Sequence, residues 1–201
     1  LVSNALASQL ATMRLRITYN SPVILTLALI AIAVHGIDLL TPGHLSNRYF
    51  ALPGRFQWGD PLDWLRLFTW PFGHADWSHL AGNLLMVLVI GPLIEEKHGT
   101  SMLLEMVLIT TVATAVLNIL LFHTGLKGMR GLVFMLIILA SVTNLKDGRI
   151  PLTFLLVAGL FLGREVVDAF QSDRVSQFAH ILGGLCGSLF GLFAPKASSS
   201  K

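Results

Sequence analysis

Two polar groupings in this sequence lie inside apolar stretches, where side chains able to do chemistry stand out. His79 and Asn83 are four residues apart at the start of an apolar run. On a helix that spacing puts them on one face about one turn apart, two hydrogen-bond donors aimed the same way. His180 is followed by Gly183 and Gly187 at i+3 and i+7. The histidine therefore shares its helix face with glycines, which let a second backbone come close. A third feature is the glycine-rich turn Gly125-Leu126-Lys127-Gly128-Met129-Arg130-Gly131, which opens another apolar run. Each has a plain explanation. The His79/Asn83 pair can bond a neighbouring helix, the glycine face can be simple helix packing, and Lys127 and Arg130 can reach headgroups from a surface loop. Polar groups at membrane depth are costly, however, and a histidine on the glycine face shifts the balance toward a site.

The elements that must position these residues read as helices in lipid. Of 201 residues, 54% are hydrophobic and 12% charged, and mean hydropathy is +0.71, more apolar than one soluble core requires. The apolar residues form long blocks nearly free of charge, with almost all Lys, Arg, Asp and Glu in the short segments between them. A net charge of +3 does not point to nucleic acid, because the basic residues are scattered without a basic helix or aromatic interleaving. Cys186 is the only cysteine, so neither a disulfide nor a thiolate metal site is expected, and no metal or cofactor is assigned.

Six apolar spans are predicted, at 21–40, 79–94, 102–122, 131–142, 151–162 and 178–193. The first is about 30 Å long as a helix, enough to cross a hydrocarbon core. Segment 41–78 holds four tryptophans among several prolines and glycines. It is too broken for a span and reads as a large structured loop at the membrane surface. Spans 131–142 and 151–162 are only about 18 Å long, too short to cross alone. A short helix after a glycine-rich turn can begin partway into the membrane only where its start lines a cavity or is buried in protein. Charged turns such as Glu95-Glu96-Lys97 and Lys146-Asp147-Gly148-Arg149 join the spans. Residues 1–20 read as a cytoplasmic leader without a cleavable signal peptide, 21–195 as the membrane domain and 196–201 as a cytoplasmic tail. Orientation rests mainly on Arg14 and Arg16, since Arg14, Arg16, Lys97, Lys146, Arg149, Lys196 and Lys201 on the cytoplasmic side are only half of the 14 Lys and Arg residues.

These patterns, in this order over about 21–193, resemble the rhomboid family of intramembrane serine proteases. Trp64-Leu65-Arg66, with Phe68-Thr69 and His74, is similar to the tryptophan-arginine segment of the family's first loop, with Leu65 inserted. His79-Leu80-Ala81-Gly82-Asn83 matches the histidine-x-x-x-asparagine of the second helix, whose side chains, the resemblance implies, stabilise the oxyanion. Glu95-Glu96-Lys97-His98-Gly99 resembles the turn closing that helix. His180 with Gly183 and Gly187 matches the general base of the sixth helix and the glycines that seat it against the fourth. The implied fold is an all-α, six-helix membrane bundle with a large first loop. Gly128, Gly131, Gly183, Gly187 and Arg66 are its structural residues.

The departure is at the fourth helix. The family carries glycine-x-serine-glycine with serine as nucleophile, and this sequence reads Gly128-Met129-Arg130-Gly131. A guanidinium stays protonated and offers no lone pair for attack. Substitutes are poor: Ser141 is about 16 Å further along the helix, and Ser176 stands at a loop position the family does not use. Phe134 is a lesser departure, where many members have tyrosine. The resemblance thus implies a multi-pass integral protein, in a bacterial inner (plasma) membrane, that binds transmembrane segments in the bilayer without hydrolysing them. The alternative is a rhomboid serine endopeptidase carrying an altered nucleophile. A small transporter lacks the paired broken helices that class would show.

The six-span reading predicts labelling of single cysteines placed in a Cys186→Ala background. Positions in loop 41–78 and near Asp173 should react from the extracytoplasmic face, and positions near Lys146 from the cytoplasm. Reaction of the Lys146 turn and the large loop from the same side would overturn the topology.

Overall fold

The structure is a computed structural model that describes residues 18–41, 45–146 and 174–195, with single helical positions at 152, 155, 156, 159, 160 and 163. Side chains of 144–146 and 174–178 are not among those described. The leader up to residue 17, most of span 151–162 and the tail 196–201 lie outside the described residues.

The chain is helical, with one isolated antiparallel bridge between Leu52 and Leu126 among the described residues. Helix α1 is Pro22–Leu40, and its first residue is a proline, whose missing N–H is no loss at that position. The large loop folds into α2 (Leu45–Tyr49), α3 (Pro61–Thr69) and a 3₁₀ turn, Trp70–Phe72. Asp60 caps α3 by accepting from the Leu62 N–H at 2.9 Å. Helix α4 (Trp77–His98) starts where Asp76 accepts from the His79 N–H at 2.8 Å. It stops at Gly99, whose φ of 85° breaks the helix before α5 (Thr100–Leu121) begins. Helix α6 is Arg130–Lys146 and α7 is Arg174–Phe193.

Helices α1, α4 and α5 are long and apolar enough to cross a membrane, and Arg130–Thr143 and Ala179–Phe193 are shorter apolar stretches. Helix α6 is the centre of the bundle: Leu132, Val133, Met135, Leu136, Ile137 and Leu139 are all nearly inaccessible. Its neighbours expose large apolar side chains outward, among them Leu29, Ile37, Leu85, Leu93, Leu104, Ile109 and Ile181. Such a surface is unfavourable in water and natural in lipid.

Glycine sets the seam between α6 and α7. A Cβ on Gly183 would run into the Gly131 carbonyl, and one on Gly187 into the Met135 carbonyl. One on Gly191 would meet Val142 at 2.7 Å. The face expected from the i, i+3, i+7 spacing is thus the face that touches α6.

Two sequence expectations change. The fourth span, expected at 131–142, is a helix of 17 residues, about 25 Å long. Polar Ser141 and Thr143 do not end it, because their hydroxyls bond back to the carbonyls of Ile137 and Leu139 at 2.9 and 2.6 Å. Glu95-Glu96-Lys97 is not a turn but the last turn of α4. Glu95 is buried because its carboxylate accepts from the N–H groups of Val23 and Ile24 at 3.0 and 3.1 Å, capping α1.

Replacing Gly183 or Gly187 by leucine should lower thermal stability in detergent by about 1–3 kcal/mol or more, because the neighbour in each case is backbone and cannot swing aside. Unchanged melting of both variants would mean the seam does not exist.

Candidate functional site

The site is assembled at the end of the bundle where α4 and α6 begin. Asp76 fixes the start of α4, and one turn later the helix presents His79 and Asn83. Asn83 is 2% exposed, and its Nδ2 donates to His74 Nε2 at 3.1 Å. The other ring nitrogen, Nδ1, lies 3.2 Å from the Phe72 carbonyl. A carbonyl can only accept, so the network assigns the proton to Nδ1 and leaves Nε2 as the acceptor, a neutral tautomer. The His79 ring lies edge-on to that of His74, with centroids 4.9 Å apart. Burial, reinforced by the charge of His79, pushes the His74 pKa down to about 3.

From the other side comes the turn ahead of α6. Gly128 has φ 101°, and its N–H donates to the Trp70 carbonyl at 3.1 Å. A Cβ there would lie 2.6 Å from His79 Cε1, 2.7 Å from Nε2 and 3.7 Å from Asn83 Nδ2. Backbone conformation and space both require glycine. Lys127, beside it, donates to Asn47 Oδ1 at 2.9 Å, and burial lowers its ammonium pKa while Asp38 pulls it back up.

Arg130 is the first residue of α6, and Gly131 follows against α7, where a Cβ would lie 3.2 Å from the Ala179 carbonyl. His180 comes next on α7, buried, its ring stacked on Phe134 at 4.4 Å and 11°. Arg130 lies within electrostatic range of His180. The turn 128–131 is therefore flanked by His79 and Asn83 at one end and by the helix bearing His180 at the other.

Arg66 is elsewhere. It pairs with buried Asp63, and its Nε donates to the Arg48 carbonyl at 2.8 Å, bracing the loop. Ser141 is turned to its own helix. Among the described residues no three His, Cys, Asp or Glu side chains converge as metal ligands. His74 is the member that sequence spacing could not assign a role. It lies in the loop before α4, outside the helical period that links His79 to Asn83.

The fold and this polar cluster define a helical integral membrane protein with a buried histidine site. A sequence model of the Rhomboid domain matches residues 61–196. The chain is 27% identical over 130 residues to Rhomboid-like protein 11, chloroplastic, of Arabidopsis thaliana, covering 64% of this chain and 43% of that protein. The chain belongs to the rhomboid family. It spans less than half the length of the curated relative it matches. That relative is a chloroplastic plant protein, so it lends no weight to the expected bacterial inner membrane.

The neutral, buried His74 couples stability to pH. Its folded-state pKa is about 3 against an ordinary 6.5. The unfolded chain therefore takes up a proton that the folded chain refuses. Stability is full above about pH 6.5 and declines as pH falls toward 3, by up to about 1.4 kcal/mol per pH unit from this group. Detergent melting of the protein and of His74→Gln from pH 7 to 4 checks this. The variant should lose less stability on acidification, and parallel curves would remove His74 from the account.

Proposed function

We propose that this protein is a six-span rhomboid homologue with both termini cytoplasmic, built as leader 1–20, membrane domain 21–195 and tail 196–201, which binds transmembrane segments without cleaving them. The observation that carries the reading is Arg130 at the first position of α6, in a glycine turn packed on His79 and Asn83. The family resemblance assigns that position to the nucleophile. A serine there would attack the peptide carbonyl while His180 took its proton, and His79, Asn83 and the backbone N–H of residue 130 would hold the developing oxyanion. Arginine has five donors and no acceptor, so the covalent step has no attacking atom. What the site retains is hydrogen-bond donation and a fitted turn, which serve binding.

A second reading is favoured by the intact His74–Asn83 hydrogen bond and the fitted Gly128. In it, the chain is a nucleophile variant of a rhomboid serine endopeptidase that cleaves membrane-anchored substrates. Polar groups kept inside a membrane without use are expensive.

The test is fluorophosphonate labelling of the purified protein, of Arg130→Ser and of Arg130→Ser/His180→Ala, beside cleavage of a model transmembrane substrate. The unmodified chain should neither label nor cleave. Arg130→Ser should label, and the double variant should not, because nucleophile and base act as a unit. The single change is expected to restore labelling only in part, since a 1 Å error in the turn costs about a hundredfold. Labelling of the unmodified chain would place the nucleophile at another serine and overturn the reading.

A further inference from the structure

The loop ahead of α4 carries large apolar side chains that the bundle leaves uncovered: Trp58 is 66% exposed, and Trp64, Leu65 and Phe68 are each about half exposed. The rings of Phe56, Trp58 and Trp64 pack edge to face on one another, with centroids 4.9, 5.6 and 5.8 Å apart. The Trp64 indole N–H is used within the loop, donating to the Trp58 carbonyl at 3.0 Å. Between this aromatic wall and the C-terminal part of α5 lies a cavity of about 60 Å³, bounded on the α5 side by Val116, Ile119 and Leu120.

We infer that this groove holds part of the acyl chain of a membrane phospholipid, clasped between the loop's aromatic rings and α5. The occupant follows from where the groove leads. Ile109, Val116 and Leu120 are exposed on α5 at i, i+7 and i+11, within about 40° of one another around the axis, forming one ridge along the outside of a helix long and apolar enough to span the membrane. Hydrocarbon lying along that ridge runs directly into the groove. The cavity admits a short length of chain and falls far short of a helix, which with its side chains is about 10 Å across. Its walls are hydrocarbon and ring surface, so a headgroup placed there would lose its hydrogen bonds to water, whereas an acyl chain loses none. Indole rings at the end of a membrane span are also where one apolar face and one wet edge are both accommodated. The loop is thereby tied to a lipid as well as to protein, independently of what the histidine site does.

The full chain is reconstituted into phosphatidylcholine vesicles carrying bromine at a series of acyl depths, and tryptophan fluorescence is read. In a Trp58→Phe/Trp77→Phe background the emitters are Trp64 and Trp70, and Trp70, 2% exposed, is shielded by protein. Trp64 should be quenched at one bromine depth. Val116→Phe, which fills the groove, should remove most of that quenching with helicity unchanged. If that variant fails to fold, Leu120→Phe makes the same comparison from a more exposed position. Equal quenching with the groove filled would mean that the ring merely lies against lipid, and would overturn the inference. So would a Trp64 that stays bright at every bromine depth. Shielding of Trp64 that grows with protein density in the vesicle would mean that a second copy of the chain occupies the groove, which also overturns it.

Discussion

Helix α7 lies against α6 along a line of glycines, and that close approach sets how His180 is presented to the turn ahead of α6. In lipid, helices gain nothing by hiding apolar side chains from each other's surroundings, so association depends on packing and on how near the backbones come. Gly183 on the Gly131 carbonyl, Gly187 on the Met135 carbonyl and Gly191 on Val142 fix one register. A slip of one residue would rotate the face by about 100°. His180 would then leave Phe134 and turn away from the 128–131 turn. The glycines are thus the means by which α7 delivers its histidine.

The opposite wall is fixed at both ends by hydrogen bonds. At the far end of α4 the Glu95 carboxylate accepts from two N–H groups at the start of α1, where a negative charge is favoured by the helix dipole. At the near end the loop backbone is tied down by Leu52 with Leu126 and by the Gly128 N–H on the Trp70 carbonyl. The Trp70 indole in turn donates to the Thr111 carbonyl of α5 at 3.3 Å, and Asn118 exchanges two hydrogen bonds with Thr124. Irregular backbone near membrane depth is tolerable only when its polar groups are met in this way. The turn before α6 can therefore be non-helical and still hold a single conformation.

What was legible in the sequence was periodic. The four-residue step from His79 to Asn83 and the glycine face of His180 depend only on helix geometry, and both faces point inward where the spacing put them. The structured loop was legible from its prolines and tryptophans. What failed were boundaries judged by polarity alone. Thr143 looks like a residue past the end of a helix until its hydroxyl finds a carbonyl one turn back. Glu95 looks like a surface turn until its charge is satisfied by another helix seventy residues away in sequence. His74 was visible as a residue but not as a partner, because a loop has no period that would aim it at Asn83. Arg66 sits in the expected segment and pairs with Asp63 and the Arg48 carbonyl within the loop.

Arg130 is where local physics and the rest of the site disagree. At the first residue of α6 a guanidinium faces the positive end of a helix dipole, where a cation is disfavoured. The α6–α7 seam is made by Gly131, Gly183 and Gly187 and the core by the apolar residues after position 131. Around it, Gly128 is shaped to His79, and Asn83 holds His74 in one neutral tautomer. A bundle that only had to pack would do so with apolar side chains at 74, 79 and 83, because each buried polar group is unfavourable unless hydrogen-bonded. In the proposed reading the two facts belong together. On that reading the donors and the turn serve a ligand with acceptor oxygens, and an arginine at position 130 supplies donors but no lone pair for attack.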